Sequence, residues 1–150
     1  RDEILGNTKR LIPTMLDYKT HINKQSMFNT PPVFAIYVSM LTLDWLKNNG
    51  GVHAIEKINN KKAKVIYNEI DRNSLFEGTA HKEDRSNMNV TFLLKNKNKE
   101  DSFNQMCDEA GINGLKGHRS VGGYRASIYN AMPLSSIDLL VDIMQKLEQN

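Results

Sequence analysis

The sequence predicts an α+β fold in which helices pack on a mostly antiparallel sheet. Three observations predict it. Residues 87–94 alternate, with Met88, Val90, Phe92 and Leu94 on one face, the period of a half-buried strand. Gly122-Gly123 reverses the chain between two strand-like pieces, 115–118 and 124–129. Around them, apolar residues recur at helical spacing in several segments, giving the order helix, strand, helix, strand-turn-strand, helix.

The elements follow in chain order. Residues 1–28 are mixed, with Pro13, Asp17, Asn23 and Ser26 breaking up short apolar pieces, and read as loop with one short turn. From Pro31 the character changes. Residues from Val33 to Leu46 are apolar nearly all the way round a helix, so that helix has to be buried on several sides, between domains or between subunits. Asn29-Thr30 supplies the capping residue type, Pro31 suits the first helical position, and Gly50-Gly51 stops the helix.

A second helix carries Val52, Ile55, Ile58, Val65, Ile66 and Ile70 to about Asp71. Residues 72–86 read as polar and irregular, with Glu83-Asp84-Arg85 as an exposed loop. After the strand, a helix runs from about Lys99 to Gly111, with Phe103, Met106, Cys107 and Ala110 on one face. Ser135 or Ser136 caps a last amphipathic helix that carries Ile137, Leu140, Val141, Met144 and Leu147.

Composition narrows the function. With 150 residues the chain suits one domain of ordinary size. Twenty basic against 17 acidic residues is a mild balance, and the lysines sit in two short runs, 61–64 and 95–99, that read as solvated faces rather than a nucleic-acid surface. No apolar run is long enough for a membrane span. Cys107 is the only cysteine, so no internal disulfide forms, and a reducing, cytoplasmic setting is expected. The cysteine reads as a buried structural thiol, because no cation lies close in sequence to depress its pKa. The chain opens at Arg1-Asp2-Glu3 without an initiator methionine, which suggests a fragment or a processed product. His21, His53 and His81 have no metal-ligand spacing, no nucleophile elbow appears, and no lysine stands in a context that would lower its pKa.

Two segments could hold an anion. In Lys116–Met132, His118, Arg119 and Arg125 surround the glycine pair, and a guanidinium pairs two-pronged with carboxylate or phosphate. That arrangement suits a small dianion; a hairpin with two exposed arginines is the plainer alternative. Asn29-Thr30-Pro31-Pro32 precedes a helix, where the macrodipole favours an anion, and simple capping accounts for the same residues.

The tetrapeptide Asn29–Pro32 within S-M-F-N-T-P-P-V-F-A-I-Y, then W-L-K-N-N-G-G-V, M-N-V-T-F and L-K-G-H-R-S-V-G-G-Y-R-A-S-I-Y-N-A-M-P-L, resemble the phosphoserine aminotransferase family. R-D-E-I-L-G and P-T-M-L-D-Y at the start resemble it too, so the likeness runs through essentially the whole chain. The resemblance implies the small C-terminal domain of a fold-type I aminotransferase that depends on pyridoxal 5'-phosphate and works as a homodimer. It implies that residues 1–30 end the large cofactor domain, and that residues 31–150 form a connecting helix and the small domain. The implied reaction exchanges an amino group between phosphoserine with 2-oxoglutarate and phosphohydroxypyruvate with glutamate, in serine biosynthesis. On this resemblance Asn29 and Thr30 match the pair that reaches the cofactor phosphate of the neighbouring subunit. Arg125 matches the arginine on the substrate α-carboxylate, and His118 and Arg119 match residues that bind its phosphate or distal carboxylate.

The sequence departs from the family pattern at Asn87, where Arg-Ser-Arg is common, and at Thr91, where proline is common. The lysine that reacts with the cofactor lies upstream in this family, so the chain by itself is expected to be inactive. The competing reading is a free-standing, non-catalytic anion-binding or dimerisation module. The apolar helix argues against it, since that surface would stand uncovered.

Overall fold

A computed structural model describes every residue except Arg1, Asp2, Ile4, Arg119 and Asn150. The chain divides into two compact units, residues 1–45 and 46–150. In the first, a short helix α1 (Tyr18–Ile22) is capped by Asp17, whose side chain accepts from the Lys19 amide at 3.0 Å. The long apolar helix is α2 (Val33–Asn48). It starts two residues beyond the expected point, so Pro31 precedes the helix instead of forming its first turn; Val33 N donates to Pro31 O at 2.8 Å. None of its residues is buried, and Phe34 is 80% exposed. Its hydroxyls turn inward, Ser39 to the Ala35 carbonyl and Thr42 to the Val38 carbonyl, which removes polarity from its sides. Gly50 and Gly51 take the left-handed conformation and separate α2 from α3 (Gly51–Arg72).

The second unit is built on three antiparallel strands in the order β1 (Phe76–Gly78), β2 (Asn89–Leu94), β3 (Tyr124–Ser127). Helices α4 (Glu100–Glu109) and α5 (Leu134–Gln149) complete it. The α+β class expected from the sequence is the one observed. Strand β1 falls in the stretch expected to be irregular; it is three residues long, with Phe76 alone buried, too short to show alternation. The 115–118 piece reduces to a single bridge, Lys116 to Tyr124. Helix α5 begins at Leu134, so Ser135 and Ser136 lie inside its first turn rather than ahead of it.

Val90, Phe92, Tyr124 and Ala126 turn one face of the sheet toward α3, α4 and α5. Beneath it the aromatic rings interlock. Phe103 meets Phe76 and Tyr124 edge-on at 5.3 and 5.0 Å, and Phe92 stacks on Tyr124 at 5.4 Å. Cys107 is buried in this core as expected, with Met106 and Ala110 packed beside it. Buried Glu69 links α3 to α5: it accepts from Arg72, Asn73 and Gln145. Burial pushes its pKa up, and those hydrogen bonds more than offset it, leaving the carboxylate below its usual range.

The lysine run at 61–64 is not wholly a solvated face. Lys62 is 0% exposed, and its Nζ donates to the carbonyls of Ile128 (3.0 Å), Tyr129 (2.6 Å) and Met132 (3.1 Å). Desolvation lowers its pKa from that of an ordinary lysine. Arg85 is also not the exposed residue expected: its guanidinium lies over the Tyr67 ring at 4.5 Å and grips Asp71 through two bonds of 3.0 and 2.6 Å.

Candidate functional site

The hairpin 115–127 is closed by backbone bonds on both limbs. Gly117 N donates to Gly123 O at 2.8 Å, and Arg125 N donates to Leu115 O at 2.7 Å. At the tip, the His118 carbonyl accepts from the Val121 and Gly122 amides at 3.0 and 2.8 Å. Gly122 and Gly123 hold φ of 76° and 66°, which a side chain would strain. A Cβ at Gly117 would collide with the Gly122 carbonyl oxygen, so the two limbs approach as closely as they do only because residue 117 has none.

His118 sits at this tip, exposed. The Ser120 amide donates to its Nδ1 at 3.3 Å and the Ser120 hydroxyl lies 2.7 Å from the same nitrogen. With Nδ1 accepting, the neutral ring carries its proton on Nε2, leaving a donor for an anion. Arg119, the second tip residue picked out from the sequence, lies outside the described residues.

Arg125 is on the return limb, in β3, where the alternation that buries Tyr124 and Ala126 sends Arg125 to the opposite face. Its cross-strand partner is Thr91. Thr91 Oγ1 accepts from the Thr79 hydroxyl at 2.5 Å, so the position where the family pattern has proline carries a hydroxyl pair here. Among the described residues the Arg125 guanidinium has no ion-pair or hydrogen-bond partner. Beside it lies an open pocket of about 430 Å³ formed by the loop 110–115, β3 and the first turns of α5. Arg125 is the one charged residue among those lining it, and Ser127 and Ser136 are polar members of a largely apolar wall. His118 does not line this pocket.

Further along the same open face, Asn89 Oδ1 accepts from the hydroxyls of Ser127 (3.4 Å) and Tyr129 (3.2 Å). No sequence motif marks this polar trio, because Asn89 lies 38 and 40 residues from its two partners.

In the first unit, Asn29 and Thr30 are exposed ahead of α2. Among the described residues Asn29 Nδ2 donates only to Met15 Sδ, at 3.5 Å, a weak acceptor. Two amide hydrogens and a hydroxyl, so lightly engaged, form a donor set that suits a phosphate group. Among the described residues no cluster of His, Cys, Asp and Glu could hold a metal ion, and no helix is long and apolar enough to cross a membrane.

A family model described as aminotransferase class-V matches residues 3–140, and the chain belongs to that family. Among its relatives, the chain is 66% identical over 148 residues to the phosphoserine aminotransferase of Flavobacterium psychrophilum; 99% of this chain aligns with 42% of that protein. In structure it is similar to the phosphoserine aminotransferase from Bacillus circulans subsp. alkalophilus, at 40% identity and a TM-score of 0.85, covering 99% of this chain and 42% of that one. A phosphoserine aminotransferase from Trichomonas vaginalis, solved with pyridoxal phosphate bound, is 38% identical with a TM-score of 0.78, covering 92% and 40%. The chain thus spans about two-fifths of the length of these relatives.

Proposed function

We propose that this chain is the C-terminal part of a phosphoserine aminotransferase, and that its share of the work is to hold the substrate's anionic groups. The observation that carries this reading is Arg125, which lines an open pocket and whose guanidinium is unpaired among the described residues, in a chain of this family. Arg125 takes the substrate α-carboxylate in a two-pronged grip. His118, with Nε2 as donor, and Arg119 take the phosphate of phosphoserine and phosphohydroxypyruvate, or the distal carboxylate of glutamate and 2-oxoglutarate. Separate cationic groups are what one site needs to accept both pairs of substrates. Asn29 and Thr30 donate to the phosphate of pyridoxal 5'-phosphate held by the other subunit of a homodimer, with residues 1–30 ending the cofactor domain. When bound, that cofactor supplies the electron sink for amino-group transfer. No lysine of this chain takes part in that chemistry; Lys62 is committed to carbonyls. The setting is the cytoplasm.

The test uses the complete protein loaded with pyridoxal 5'-phosphate. Glutamate and phosphohydroxypyruvate should yield 2-oxoglutarate and phosphoserine, while pyruvate in place of phosphohydroxypyruvate should give little product. Equal turnover with the two acceptors would overturn the assignment of the phosphate-binding groups, and no turnover with either would overturn the activity.

A further inference from the structure

Lys62 is fully buried, yet takes no part in the proposed reaction. An ammonium has three N–H donors, and all three have a partner: the carbonyls of Ile128, Tyr129 and Met132. These carbonyls belong to one short segment, the chain that leaves β3 and turns into α5. Its first member is three residues past Arg125. One turn earlier on α3, Asn59 Nδ2 donates to Asn130 Oδ1 at 2.8 Å, inside the same segment. Asn59 and Lys62 are three apart, so they share a helix face and hold the segment side by side.

This grip meets a specific need. Strand β3 is at the edge of the sheet: among the described residues beyond it, Lys116 bridges to Tyr124, Leu115 accepts from Arg125, and Gly117 donates to Gly123 ahead of the strand. Past Ser127, one sheet-like bond remains, Ile128 N to Met88 O at 2.9 Å, after which the chain makes no further strand. Without the ammonium the buried bond to the Ile128 carbonyl and the bond to the Met132 carbonyl would be lost, and the Tyr129 carbonyl would keep only the Met132 amide at 2.9 Å; a carbonyl left unpaired away from water is costly. A neutral side chain could satisfy one or two of these three. An ammonium satisfies all three from one point, which fixes the direction in which the chain leaves the strand.

We infer that Lys62 is a positioning residue for the substrate carboxylate site: by clamping residues 128–132 to α3 it fixes the end of β3 and hence where the Arg125 guanidinium stands. This rests on the reading of Arg125 as the carboxylate-binding arginine. Every substrate of the reaction carries an α-carboxylate, so loosening the clamp weakens all of them alike and leaves their ratio unchanged. Loss of the phosphate-binding groups would instead change the ratio.

The experiment compares Lys62→Met, Asn130→Ala and Arg125→Lys in the complete enzyme, each loaded with cofactor and corrected for the fraction that binds it. Lys62→Met should raise KM for glutamate and for phosphohydroxypyruvate together, by roughly tenfold, with a smaller change in kcat. Asn130→Ala, an exposed position, should raise both by about twofold to threefold. A merely structural lysine would lower the melting temperature and the active fraction while leaving both KM values in place, and that result overturns the inference. If Lys62→Met does not fold, Asn130→Ala decides: unchanged KM values overturn the inference. If Arg125→Lys itself leaves KM unchanged, the carboxylate reading fails; if only the Lys62 and Asn130 variants do so, the clamp alone fails.

Discussion

The Arg125 amide donates to the Leu115 carbonyl at 2.7 Å, so the strand that carries the guanidinium is tied on its outer side as well as to β2. The backbone at this position is therefore held from both flanks while its side chain is left unpaired among the described residues. A rigid mount with a free charged head is what preorganised anion binding requires.

Replacing Arg125 by Lys keeps the charge but loses the planar fork. Charge-assisted hydrogen bonds contribute about 1.5–3 kcal/mol each, so KM for glutamate should rise roughly 10- to 100-fold. Steady-state kinetics of the complete enzyme measure it, and a KM within twofold of the parent would count against a carboxylate at this position.

Gly117→Ala places a methyl group against the Gly122 carbonyl oxygen and 3.0 Å from that of Gly123. The limbs of the hairpin must part, breaking the Gly117–Gly123 bond beneath His118. The expected cost is about 1–3 kcal/mol of stability, with weaker binding of phosphohydroxypyruvate. Thermal unfolding and the KM for that substrate read the two effects separately.

Asp71 is held at a pKa of about 2, chiefly by hydrogen bonding to the Arg85 guanidinium, with Lys82 at 3.0 Å adding to it. Its ordinary value is 3.8. The unfolded chain therefore takes up a proton at higher pH than the folded one, and stability from this carboxylate falls as pH drops from about 4 to about 2. Asp71→Asn should be less stable by about 1 kcal/mol at neutral pH, and the gap should close across that window. Urea unfolding at stepped pH values gives the comparison.

The Cys107 thiol is pushed up to about 11 by burial, with the Asp108 charge adding to the shift. It should resist thiol reagents in the folded protein and react freely once urea unfolds it. Mass analysis of the peptide spanning residues 100–110 follows the modification; fast labelling of the native protein would contradict its place in the core.

The helices and the central strand were legible because each repeats a simple period: Val90 and Phe92 alternate, and Ile137, Leu140, Met144 and Leu147 recur at helical spacing. Strand β1 was not legible, since Phe76 is its one buried residue and its pairing to Leu94 is made at a distance in sequence. Lys62 shows the same limit. A run of lysines reads as wet, and the three carbonyls that accept from Lys62 lie 66 to 70 residues away. Its burial had a local sign, however. Residues 55, 59, 62, 66 and 70 form one helical stripe, and the lysine stands in the middle of it. Of the anion site, Arg125 could be assigned to an exposed strand position from the alternation around it. The pocket beside Arg125 could not, because α5 and the loop 110–115 supply most of its wall.

The bareness of α2 also bears on the order of synthesis. The core of the second unit draws on residues 63 to 147, so it can close without any side chain of this helix. The helix leaves the ribosome before the residues that build that core. At roughly 5–20 residues per second, completing residues 46–150 takes on the order of ten seconds, during which Phe34, Tyr37, Leu41 and Leu43 are already made. An apolar cylinder left waiting that long is a natural ligand for a holding chaperone.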